Sequence, residues 1–104
     1  MTVSSASSET KVEINTEFRE PPMYQLIFLN DTTTTYEFVV ECLMKHLNYT
    51  EATAQKITEK VHEEGSACVA TLPYEIAEQK GIEITVSARS SGFPLDVKIQ
   101  PESS

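Results

Sequence analysis

Glycine, cysteine and tryptophan are scarce in this chain of 104 residues, at three, two and none. Three glycines leave no material for a Gly-rich loop that cradles phosphates. The cysteines, Cys42 and Cys68, stand far apart without a Cys-x-x-Cys spacing, which excludes a dithiol redox motif and a zinc knuckle. Both are expected as buried free thiols, behaving as small apolar side chains. Basic residues are also few, with 8 Lys and Arg against 16 Asp and Glu and a formal charge of -8. Such a surface repels a phosphate backbone, so nucleic acid is excluded as a partner; it suits a cationic ligand, and a free α-amino group is one. No segment approaches the roughly 20 apolar residues of a membrane span, and the start of the chain has no basic stretch followed by a long apolar run. A cytoplasmic protein with no membrane partner is expected. Asn, Asp and His residues form no nucleophile, base and orienting group at a recognisable spacing, so an enzyme is not indicated and no metal or cofactor is implied. A hydrolase using His62 as base would have no nameable nucleophile.

What remains is enough for one domain with one modest core. Residues 1–21 are dominated by Ser, Thr and Glu and read as a disordered extension, closed by Pro21 and Pro22; residues 22–104 form the folded domain. The apolar run Met23–Leu29 has strand length and composition. It stops at Asn30-Asp31, a turn-forming pair, followed by four threonines. Thr34 and Glu37 have capping-box spacing, and Phe38, Val39, Cys42, Leu43 and Leu47 then recur with helical period. Thr50 can cap a second helix with the stripe Ala54, Ile57 and Val61, which Gly65 ends. Ser66 to Leu72 reads as a strand, and Pro73 is suited to open a third helix. The next segment supports two readings. Ile82, Ile84, Val86 and Ala88 alternate as in a strand, whereas Tyr74, Ala77, Gly81, Ile84 and Ala88 form a helical stripe whose small residues permit close packing on a sheet. Leu95, Val97 and Ile99 alternate with polar residues in a last strand. With that segment taken as a helix, which the pattern alone leaves open, the order βααβαβ predicts an α+β fold, with three helices packed on one face of a small three-stranded antiparallel sheet.

The polar residues to weigh for a site are Asn30, Asp31, Thr32, Thr34 and His62. Asn30 and Asp31 open a loop from a buried strand, a common setting for binding groups and equally for a simple turn. His62 lies near a helix C-terminus, where the dipole favours it without any function, and His46 has the same explanation.

Several segments taken together resemble the ClpS adaptors of bacterial Clp proteases: Pro-Pro-Met-Tyr-Gln-Leu-Ile-Phe-Leu-Asn-Asp at 21–31, Glu-Phe-Val-Val at 37–40, Val-His-Glu-Glu-Gly-Ser-Ala-Cys at 61–68, Glu-Ile-Ala-Glu-Gln-Lys at 75–80 and Phe-Pro-Leu at 93–95. The resemblance resolves residues 73–91 as one helix. It implies an adaptor, expected as a monomer, that recognises N-degrons, proteins beginning with a bulky Leu, Phe, Tyr or Trp. It further implies that the adaptor passes them to the N-terminal domain of a ClpA-type AAA+ unfoldase for degradation by ClpP. Carried over by position, Asn30 and His62 would hold the α-amino group, with Asp31 supplying charge nearby. Leu29, Thr34, Val39, Thr58, Val61 and Leu95 would line the side-chain pocket, and Glu75 and Lys80, exposed on the third helix, would face the unfoldase. The chain departs from the family at three pocket positions: Thr32 stands where a further acidic residue is common, Tyr36 replaces a gating methionine, and Thr58 replaces another methionine with a smaller, polar side chain. These exchanges motivate an alternative, a regulator that binds the unfoldase without accepting N-degrons. Residues 1–21 would serve delivery, as a flexible extension able to reach a motor pore.

Overall fold

A computed structural model describes residues 22–102, so the extension expected over residues 1–21 lies outside the described residues. The elements are β1 (Met23–Leu29), α1 (Tyr36–Leu47), α2 (Glu51–Glu64), β2 (Ser66–Pro73), α3 (Tyr74–Ser90) and β3 (Asp96–Pro101). This is the expected βααβαβ order, including the third helix, which the pattern left open and the family resemblance resolved. β1 is central and pairs antiparallel with both neighbours, giving the strand order β2-β1-β3.

The helix boundaries follow from capping chemistry. Thr50 accepts a hydrogen bond from the Thr53 N–H at 3.3 Å and so starts α2 as anticipated. α1 is capped one residue later than the spacing suggested, because Thr35 rather than Thr34 accepts from the Phe38 N–H, at 3.1 Å. The Thr34 hydroxyl is engaged elsewhere, on Asp31. Gly65 ends α2 with φ +87, a conformation that L side chains rarely adopt. Pro73 closes β2 and stands at the N-cap of α3.

The stripe Ala77, Gly81, Ile84 and Ala88 of α3 is buried, and this helix packs against all three strands. A Cβ built on Gly81 would lie 3.5 Å from both Leu26 Cδ1 and Ile99 Cδ1, so the backbones approach closely there. Leu26 and Phe28 of β1 are fully buried with Leu43, Ile84 and Leu95 at the centre of the core. The opposite sheet face is open. On it Gln100 donates to Gln25 at 3.1 Å, and Cys68 sits opposite Ile27. Cys68 is therefore an exposed thiol, contrary to the expectation for both cysteines, while Cys42 is buried and its thiol is pushed up to about 11 by desolvation, chiefly, and by Glu41. One feature of the sheet has no signature in the sequence: the register slips between Leu26 and Ile27, leaving Val69 as an extra residue in β2. The Tyr49 hydroxyl donates to the Val69 carbonyl at 2.6 Å, so a side chain from the link between α1 and α2 meets the backbone at this bulge.

Candidate functional site

The fold brings the end of β1 against the end of α2. Asn30 donates its backbone N–H to the carbonyl of Gly65 at 2.9 Å, and Gly65 is the cap of the helix that carries His62. This bond places Asn30 and His62 on the rim of one cavity of about 410 Å³, both exposed. The floor is made of Val39, Thr58 and Val61, which are buried. Asp31, Thr32, Thr34 and Tyr36 complete the wall, together with Thr35, which the sequence reading did not single out. Its signal lay in the threonine run: with Thr34 committed to Asp31, the next residue becomes the cap and turns toward the opening.

Asp31 organises the loop. Its Oδ1 accepts from the N–H groups of Thr33 and Thr34, each at 2.7 Å, and its Oδ2 accepts from the Thr34 hydroxyl at 2.7 Å. Partial desolvation opposes ionisation here, but the hydrogen bonds from Thr34 and Thr33 and the charge of Arg89 outweigh it and hold the carboxyl below its ordinary range. Arg89 is itself fixed by donating to the carbonyls of Phe93 at 3.0 Å and Leu95 at 2.9 Å. Asp31 is thus both a turn residue and a carboxylate held ionised below its ordinary range at the cavity wall.

Thr58 differs from its polar reputation. Its hydroxyl donates to the Ala54 carbonyl at 2.7 Å, one helical turn back, and the residue is only 3 % exposed. The hydroxyl is therefore spent within α2, and with Val39 and Val61 beside it the floor is apolar in character. Tyr36 leans from α1 toward α2, its hydroxyl 3.4 Å from Glu59 Oε2 and 3.5 Å from the Gln55 carbonyl, contacts at the weak end of hydrogen bonding. Loss of hydration, then the carboxylates of Glu59 and Glu37, keep that hydroxyl protonated above the usual range.

Two residues expected in the pocket stand outside it. Leu29 is the last residue of β1, held in register opposite Ser66 and Asp96. Leu95, at 1 % exposure, packs into the central core just before β3. Neither lines the cavity: Leu29 alternates with the buried Phe28 and shares a sheet face with Ile27, while Leu95 is enclosed in the core. On α3, Glu75 is exposed as expected, whereas Lys80 is half-buried rather than exposed, with its ammonium 3.7 Å from Glu83. His46 lies outside this cavity, with Nδ1 3.5 Å from Glu83 and Nε2 buried without a hydrogen-bond partner.

Three helices on one side of a three-stranded sheet, with a ligand-sized cavity that couples an apolar floor to polar rim groups, define a small α+β domain with one such site between the end of β1 and the helices α1 and α2. The chain belongs to the ClpS family: the family model described as ATP-dependent Clp protease adaptor protein ClpS matches residues 19–98. It is 42 % identical over 88 residues to the ATP-dependent Clp protease adapter protein ClpS of Nautilia profundicola, covering 85 % of this chain and 91 % of that one. It is 39 % identical over 92 residues to the corresponding protein of Acetivibrio thermocellus, covering 88 % and 93 %. Among solved structures, Agrobacterium tumefaciens ClpS2 bound to L-phenylalaninamide superposes with a TM-score of 0.76 at 35 % identity, covering 79 % of this chain and 99 % of that chain. The protein is accordingly a Clp protease adaptor and not an enzyme, with an AAA+ unfoldase as the implied partner. Among the described residues no helix is long and apolar enough to cross a membrane.

Proposed function

We propose that the protein captures polypeptides by a free, bulky hydrophobic N-terminal residue and delivers them to a ClpA-type unfoldase for degradation by ClpP. The observation that carries this reading is the Asn30–Gly65 backbone bond, which sets Asn30 and His62 beside each other over an apolar floor. A primary ammonium leaving water has three N–H bonds to satisfy. The Asn30 side-chain carbonyl and a neutral His62 imidazole are acceptors of the right kind, and the Asp31 carboxylate adds attraction without a direct bond. The first side chain then enters over Val39, Thr58 and Val61, where burying an aromatic or leucine side chain contributes about 1.5–3 kcal/mol. Recognition by Asn30 and His62 thus requires the amine, and the floor requires the bulk. Support from outside the chain comes from the Agrobacterium relative, whose ligand is an amino-acid amide with a free amine.

Delivery is assigned to the exposed start of α3, where Glu75 stands beside Tyr74 and Ile76, 46 % and 43 % exposed. Lys80, further along the same helix, is the other residue of this face. Isothermal titration with peptides beginning with Phe or Leu tests capture: His62→Ala should weaken binding by about tenfold or more, the cost of one acceptor lost to a charged donor. Acetylating the peptide should abolish it. Binding of the unfoldase with no affinity for any N-terminal peptide would instead establish a regulator.

A further inference from the structure

A cavity of about 540 Å³ opens at the end of the sheet where β1 begins, lined by Pro22, Tyr24, Pro73, Tyr74, Glu75 and Ile76. None of these residues lines the capture cavity. The rings of Tyr24 and Tyr74 meet edge to face here, with centroids 4.9 Å apart, and Glu75 is the one charged group of the wall. Tyr74 and Ile76 stand exposed beside each other, an apolar patch that no described residue covers. One turn on, Glu78 meets the Tyr74 hydroxyl at 3.4 Å. Among the described residues neither Glu75 nor Glu78 lies within ion-pair distance of a base; the pairs that exist engage Glu83 and Asp96.

Where the chain enters the fold says what can cover this patch. Met23 pairs with Pro73, so the chain reaches β1 beside the first turn of α3, and Pro22, the first described residue, is itself part of the cavity wall. Residues 1–21 contain one aromatic, Phe18, and two basic residues, Lys11 and Arg19. Four residues of extended chain reach at most about 13–14 Å, so Phe18 stays close to the rim. So short a tether sets its effective concentration there on the order of mM, and Pro21 and Pro22 lower the entropy lost on ordering it. We infer that the Phe18 ring packs into this cavity against Tyr74 and Ile76 while the Arg19 guanidinium reaches Glu75 and Glu78, so that the chain covers its own patch. The ring supplies apolar area, and the guanidinium supplies the cation that the two carboxylates lack. Residues 1–17 lie outside the contact. Delivery is assigned to the same start of α3, so the docked segment and the unfoldase compete for it; the competition, unlike the contact, rests on that assignment.

The test is NMR of the full chain, followed by titration with the N-terminal domain of the unfoldase. Nuclear Overhauser contacts should run from the Phe18 ring to the Ile76 methyls and the Tyr74 ring. Phe18→Ala should remove them and shift the backbone amides of Tyr24, Tyr74 and Ile76. Arg19→Glu should move those amides the same way, and raising the ionic strength should move the wild type part of that distance. A docked fraction of about 70–90 % lowers the apparent affinity for the unfoldase domain by about three- to tenfold, so Phe18→Ala with Arg19→Ala should bind that domain tighter by this factor. Absence of the Phe18 contacts, with amides that Phe18→Ala leaves unmoved, overturns the inference. Contacts present with unfoldase affinity unchanged or lowered in the variant leave the docking standing and overturn the competition. If neither form binds the domain, delivery is refuted and the docking, which NMR reads alone, is not.

Discussion

Replacing Thr58 by valine isolates the hydroxyl that points back into α2. The Ala54 carbonyl keeps its helical N–H partner when the hydroxyl is removed, so no buried acceptor is orphaned, and both residues are β-branched and stiff at χ1. Stability should therefore change by less than about 1 kcal/mol. Binding of a Phe-initiated peptide should stay within about twofold, because the floor presents no hydroxyl to the ligand in either case. Alanine at the same position also removes the methyl. One lost methyl contact of about 0.8 kcal/mol weakens binding about fourfold, with a stability loss alongside. The assay is titration of both variants with peptides beginning Phe, Tyr and Leu, with urea unfolding for stability. If Thr58→Val instead lowers affinity for the Tyr peptide by an order of magnitude while sparing the Phe peptide, the hydroxyl faces the ligand, and the apolar floor derived from the Ala54 bond is refuted.

Asp31→Asn should cost about 1 kcal/mol at neutral pH through weaker bonds to Thr33 and Thr34. The folded-state carboxyl titrates below its ordinary value of 3.8, so the stabilisation is present above that range and is lost as pH falls through the lower folded value. The urea midpoints of wild type and variant should converge as pH drops below about 4, and a constant gap would contradict this. Gly81→Ala should stabilise the fold by about 0.5–1 kcal/mol, since helix propensity improves and the added methyl meets Leu26 and Ile99 at ordinary contact distance. A fall in thermal midpoint would show the helix and sheet are packed too closely for even that methyl.

Much of the fold was legible because its elements carry local chemistry: an apolar run for β1, Thr50 and Gly65 as the ends of α2, and a period of two in β3. The residues 82–88 were ambiguous for a geometric reason. In a helix two residues are about 200° apart, so the alternating Ile82, Ile84, Val86 and Ala88 divide into two pairs on opposite sides. Ile84 and Ala88 are fully buried, while Ile82 and Val86 are 57 % and 59 % exposed, which no half-buried strand would require of its apolar face. The site was legible as residue types but not as geometry. Nothing local states that Asn30 binds Gly65 or that Leu29 and Leu95 stand outside the cavity. Those follow from contacts between segments distant in sequence, as does the bulge at Val69, whereas the bond that holds Thr34 to Asp31 and passes the cap to Thr35 spans only three residues. Thr58 looked like a polar exchange in the pocket until its hydroxyl was seen to serve Ala54.

The most direct test of capture through the amine is a two-dimensional NMR titration of the full chain with phenylalaninamide, alongside its N-acetyl derivative. The account predicts saturable shifts at Asn30, Thr34, Val39, Thr58, Val61 and His62 with the free amine, and none with the acetylated compound. Shifts confined to other surfaces, or equal responses to the two compounds, would contradict it.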